Sequence, residues 1–154
     1  TTGAPTACEA AGVPCVGYNV DMTSVAPNTA LTSASMDWGV YYTYAVQCML
    51  DGTEIDTDWC KGFAEGADKI TPLNDKVVAE GTEEKVKEVE DALADGSLHV
   101  FDTSTFTVDG KELTTYKKDG SDTEYISDGY FHESEYGSAP AFDIAIDGIT
   151  SITE

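Results

Sequence analysis

Runs of apolar and polar residues change period several times along this chain, and each change marks an element. Thr6–Gly12 reads as the end of a helix lined with small residues, with Gly12 suited to a left-handed C-terminal cap. Val13–Val20 then predicts a strand, apolar at nearly every position and β-branched at Val13, Val16 and Val20. A strand of that kind is usually covered on both faces, as in parallel sheets, so a helix feeding a buried strand predicts an α/β layer. A loop broken by Pro27 and Asn28 holds one short extended piece, Thr29–Thr32. The small residues of TSASMDWG then read as a turn in which Ser33 or Ser35 caps the next helix. That helix, VYYTYAVQCMLD, puts Trp38, Tyr41 or Tyr42, Ala45 and Met49 on one face, holds Asp37 in its first turn, and stops at Gly52.

The stretch from Thr53 to Glu65 is acidic, with Trp59 and Phe63 as its large anchors. Ala67–Leu73 predicts a short strand, which Pro72 confines to an edge or an end. The clearest helical pattern follows, with Thr82 as N-cap, Glu83 and Glu84 in the first turn and Val86, Val89 and Leu93 as the apolar stripe. Glu83 and Lys87 are spaced as an i,i+4 ion pair, and Gly96 ends the pattern. Ser97–Phe101 reads as a strand, and Asp109-Gly110 between two alternating runs is a hairpin signal. Beyond Tyr116 the chain turns polar, glycine-spaced and aromatic, a loop region with a late strand alternating Phe142, Ile144 and Ile146.

At 154 residues the chain has the size of one ordinary domain, and 41% hydrophobic residues exclude a wholly disordered one. Charge narrows the partners: 29 Asp and Glu against 8 Lys and Arg leave a formal net of -21. Phosphate backbones need clustered cations, and nothing basic clusters beyond Lys117 and Lys118, so nucleic acid and anionic membrane surfaces are excluded as partners. The same field disfavours a phosphorylated small ligand and tolerates a neutral polar one. No run approaches the roughly 20 apolar residues that span a bilayer, so no direct membrane insertion by this segment is expected. The opening TTGAPTACEAAG is no signal peptide and reads as a chain entering partway through an element; further chain is expected upstream. Cys8, Cys15, Cys48 and Cys60 allow three pairings, and the absence of C-x-x-C argues against a zinc ribbon or a thioredoxin-type centre. Cys48 and Cys60 bracket a loop that leaves a helix, and both a disulfide closing it and buried free thiols fit the sequence.

Catalytic chemistry finds little support. Neither His99 nor His132 is flanked by a nucleophile signature, no phosphate cradle is present, and the acidic runs 51–58 and 119–124 miss the spacing of a calcium loop. No enzyme activity, metal or cofactor is expected. Binding chemistry fares better, because ligands of open α/β layers sit beyond the carboxyl ends of the strands. Asn19, Asp21, Met22, Met36, Asp37 and Trp38 fall at such a rim, with Asn19 and Asp21 able to orient hydroxyls and Trp38 offering a flat face.

GYNVDM, ALTSASMDWGVYYTYAVQCMLDGTEI, KGFAEGADKITPLN, ALADGSLHVFDT and VDGK, in that order, resemble the C-terminal half of the BMP family. These are the basic membrane lipoprotein, or PnrA-like, substrate-binding proteins of bacterial ABC importers. The resemblance covers roughly residues 5–111. It implies a Rossmann-like, type 1 periplasmic-binding-protein fold of two lobes, of which residues 1–116 would be the C-terminal part and 117–154 a loop-rich extension. It further implies a purine nucleoside or related neutral polar ligand between the lobes, an ABC permease as partner, and an extracellular, lipoprotein-tethered location. Several members use an acidic residue in the turn matching Gly17–Met22 for ribose hydroxyls, which points to Asn19 or Asp21. This chain departs from the pattern at two points: Asn19 stands where many members carry Asp, and Ser35, Met36, Asp37 and Trp38 fill the stretch where many carry Lys. The competing class is a secreted acidic interaction or adhesion domain, favoured by the aromatic, loop-rich tail.

Overall fold

Glycines in left-handed conformation end the helices of this protein, seen in a computed structural model that describes residues 1–132, 135–136 and 144–150. The chain packs as two units, Thr1–Ile55 with Lys61–Ser97, and Asp56–Cys60 with the residues from Leu98 onward. The class is α/β, with mixed helices and sheets.

In the first unit, α1 (Gly3–Ala11) closes on Gly12 at φ 66°, whose N–H donates to Glu9 O while Val13 N–H donates to Cys8 O. Strand β1 (Cys15–Asn19) pairs in parallel with β2 (Ala30–Met36), which pairs antiparallel with β3 (Asp68–Ile70). The central strand is therefore β2, and the predicted small-residue turn over TSASMDWG is corrected to a strand. Small side chains let it be flanked on both sides, so pairing overrides the turn preference of Thr and Ser. Neither Ser33 nor Ser35 caps the next helix, α2 (Trp38–Asp51); Asp37 does, its Oδ1 accepting from Gly39 N–H at 2.9 Å. Gly52, at φ 67°, stops α2 as its sequence predicts.

The core here is small: Met22, Ala26 and Ala30, with Cys15 packed against them. The expectation that β1 is covered on both faces fails, since Val16 is 61% and Tyr18 71% exposed. The shared face of α2 is uncovered at Trp38, Tyr42 and Met49, and Cys48 alone is buried in this helix. Helix α3 (Thr82–Asp95) starts one residue earlier than predicted, with Gly81 at φ 80° as its cap position and Thr82 inside. Lys87 pairs forward with Asp91 at 2.8 Å and not back to Glu83, while Lys85 reaches Glu88. Val86 and Leu93 are half-buried and Val89 is exposed, so the stripe lies on the inner side without being sealed.

In the second unit the predicted strand Ser97–Phe101 is replaced by turns leading to a 3-10 segment, Thr103–Thr105, capped by Asp102 through Ser104 N–H at 2.9 Å. Leu98 and Val100 are exposed there, while His99 lies flat on Tyr130 with ring centroids 3.5 Å apart. Asp109-Gly110 forms the expected turn, with both residues at positive φ, closed by a single bridge between Val108 and Lys111. A second Asp-Gly, at 128–129, joins β4 (Ile126–Ser127) to β5 (Tyr130–Phe131), a hairpin the sequence reading passed over. Phe131, Tyr125 and Ile126 form its core with Phe101, Leu113 and Tyr116. His132 is buried, with Nε2 at 2.8 Å from Ser127 Oγ and 3.3 Å from Ser127 O. Glu135 Oε2 lies 2.7 Å from Nδ1. Of the predicted late strand, Phe142 lies outside the described residues, and 144–150 run as coil and turn.

Candidate functional site

Parallel pairing fixes the candidate site. The register sets Asn19 opposite Ser35, so β1 and β2 finish at the same level and their exits share one rim. Ser35 Oγ donates to Asn19 O at 2.8 Å and ties the two exits together. Beyond β1 the backbone turns sharply at Asn19, a non-glycine residue at φ 75°. Its side-chain carboxamide has no hydrogen-bond partner among the described residues and is exposed. Asp21 closes an Asx turn by accepting from Thr23 N–H at 2.8 Å, and that bond, aided by the Thr23 hydroxyl, holds its carboxyl below the usual range. Met22 leaves the rim and enters the core, 5% exposed, beneath Gly17.

The second exit supplies the rest. Met36 ends β2 half-buried, and Asp37 N–H donates to Ala67 O at 2.7 Å, which binds the start of α2 to the loop before β3. Trp38 is 56% exposed and stacked on Tyr42, with ring centroids 6.4 Å apart and planes inclined by 28°. The antiparallel register sets Lys69 opposite Ser35, so β3 delivers a cation to the same edge. Lys69 Nζ lies 3.0 Å from Asp37 Oδ2. The lysine hydrogen bond chiefly, then the Gly39 amide and the lysine charge, keep the Asp37 carboxyl below its ordinary range. Asp68, beside it, is pushed the other way by burial.

Asn19, Asp21, Met36, Asp37 and Trp38 thus come together at one edge, Met22 supports that edge from below, and Lys69 joins them unforeseen. Lys69 is one of 8 basic residues in a chain of net charge -21, yet only the β2–β3 register reveals where it points its charge. The arrangement offers a flat aromatic face, a free carboxamide, two carboxylates and one ammonium within a largely open surface, a set suited to holding a polar ring-bearing molecule. An open groove of about 520 Å³ lies elsewhere in this unit, between the loop at Leu73–Ala79 and the first turn of α3. Its polar side chains include Asp75, Glu83 and Glu84, one sign of charge with no opposing group, and it lacks the convergence seen at the strand exits. Among the described residues no group of three His, Cys, Asp or Glu is set to hold a metal ion. Nor is any helix among them long and apolar enough to cross a membrane.

No family model matches the chain. A purine-binding protein of Brucella abortus (strain 2308) is 32% identical over 106 residues, 66% of this chain and 28% of that protein. The chain therefore spans little more than a quarter of the curated relative it matches.

Proposed function

We propose that this chain is the C-terminal part of a BMP-type substrate-binding protein that captures a purine nucleoside, or a related neutral polar molecule, for a bacterial ABC importer. In this reading the full-length protein is extracellular, held to the membrane as a lipoprotein, and delivers its ligand to an ABC permease. The observation that carries the proposal is the shared rim at the level ends of β1 and β2, with Asn19 closing one strand and Asp21 and Trp38 just beyond the two exits in sequence. The likeness to a purine-binding protein supports the choice of ligand class. The carboxamide of Asn19 and the carboxylate of Asp21 address hydroxyls, Trp38 lies along a ring face, and the Asp37–Lys69 pair presents both signs of charge to ring heteroatoms. No step of bond chemistry is involved: the ligand bridges two lobes and favours the closed form by its extra contacts there. The uncovered faces of β1 and α2 are those this reading leaves to further chain.

Calorimetric titration of inosine, guanosine and adenosine into this chain and into one lengthened upstream tests the proposal. Weak or absent binding by the 154-residue chain and clear binding by the longer one is the expected result, since this reading assigns the other wall of the cleft to the second lobe. Equal tight binding by both would sink the half-site, and silence from both would remove purines as ligands. In the longer chain, Trp38→Ala is expected to abolish the ligand-induced change in tryptophan emission; an unchanged response would take Trp38 out of the site.

A further inference from the structure

Two of the four cysteines converge on one residue. At the end of α1, Cys8 O accepts from Val13 N–H at 3.0 Å, which folds the chain back along the helix toward Cys15. The neighbouring Glu9 reaches the loop before β2, where its carboxylate accepts from the Thr29 hydroxyl at 2.8 Å and from Asn28 N–H at 3.1 Å. Cys15, opening β1, donates its own N–H to Thr29 O at 2.9 Å. Helix end and strand start are thus both lashed to Thr29, a residue 3% exposed, which brings the Cys8 thiol into the neighbourhood of the Cys15 thiol. Both are free thiols, each half-buried.

We propose that Cys8 and Cys15 form an intramolecular disulfide when the chain meets a low-molecular-weight disulfide as oxidant. The Cys8 thiolate attacks one sulfur of the oxidant, whose other half leaves as a thiolate, and a mixed disulfide forms at Cys8. Cys15 loses its proton to solvent and attacks the Cys8 sulfur, expelling the second half of the oxidant. Two protein thiols are oxidised by two electrons, and one small disulfide becomes two small thiols. The order follows from the surroundings of Cys15, whose thiol is pushed up by burial and by the adjacent Cys8 sulfur and so enters second. The product staples α1 to the first residue of β1, the strand whose far end carries Asn19.

The probe is glutathione disulfide added to the purified chain, followed by alkylation of residual thiols and cleavage after acidic residues. Cuts after Glu9 and Asp21 put Cys8 and Cys15 on different peptides, both apart from Cys48. The expected result is a linked pair of those two peptides and a fall from four alkylatable thiols to two. Cys15→Ser is expected to accumulate the glutathione adduct at Cys8, since nothing remains to resolve it. Linkage of Cys8 or Cys15 to Cys48 or Cys60, or continued alkylation of both at saturating oxidant, would overturn the proposal. These outcomes are independent of purine binding, so either idea can fail alone.

Discussion

Gly17 and Ser33 sit directly opposite each other across the β1–β2 pair. A Cβ on Gly17 would lie 2.7 Å from Met22 Cγ and press on Ser33 Oγ, so the glycine is what lets Met22 tuck under the sheet. Ser33 is fully buried, and its hydroxyl has no hydrogen-bond partner among the described residues. Gly17→Ala is therefore expected to lower stability by about 1–3 kcal/mol through overpacking. Ser33→Ala is expected to be neutral or to raise stability by about 1 kcal/mol, because it removes an unsatisfied buried group. The double variant should lose less than Gly17→Ala alone, as one of the two clashes is relieved. Urea unfolding of the three variants decides it; a clear loss for Ser33→Ala would mean that the hydroxyl is satisfied. In the second unit, Glu124 accepts from the Thr115 hydroxyl at 2.6 Å and from Tyr116 and Ile126 N–H, which together lower its pKa to about 2. A carboxyl lowered on folding contributes stability above its unfolded pKa and loses it as pH falls through the folded value. The stability gap between the native chain and Glu124→Gln is accordingly expected to shrink from pH 4.5 down to pH 2. Paired thermal melts across that window measure it, and a gap that holds constant would reject the assignment.

At the scale of elements, α2 depends on Asp37 for both its cap and its tie to β3. Asp37→Ala is expected to lower stability by loss of both the cap and the tie to Lys69. Asp37→Asn keeps an accepting oxygen and loses only an exposed ion pair, so its cost should be the smaller of the two. Chemical unfolding followed by helix ellipticity separates the two; equal losses would assign the effect to Lys69. The helices were legible in the sequence because their stops are local, and Gly12, Gly52 and Gly96 all lie in the left-handed region. Strands β1 and β3 were legible in outline from their own runs, whereas Asp109-Gly110 marked a turn that joins no strands. What TSASM becomes is decided by β1 and β3 on either side of it, which no local pattern records. The same holds for the site. Asn19, Asp21, Asp37 and Trp38 could be placed from the rule that strands end at a rim, whereas Lys69 needed the antiparallel register of an edge strand.

Over the whole molecule, charge outweighs any single contact. A formal net of -21 on 154 residues is strongly self-repelling, and the ion pairs seen are few and exposed. Salt screens such repulsion over about 10 Å at 0.1 M and about 3 Å at 1 M. The melting temperature is therefore expected to rise with potassium chloride from 0.1 to 1 M, where a protein held by ion pairs would weaken. Calorimetry at several salt concentrations checks the sign, and a fall would assign the dominant role to the ion pairs. The exposed Val16 and Tyr18 of β1, with the aromatic and methionine side chains of α2, have a further consequence for handling the material. They form a sticky edge and a sticky helix surface whose self-contact is held off by like charge. Near the isoelectric point, about 4.1, that protection disappears, and light scattering should record colloidal association there before any loss of helix content.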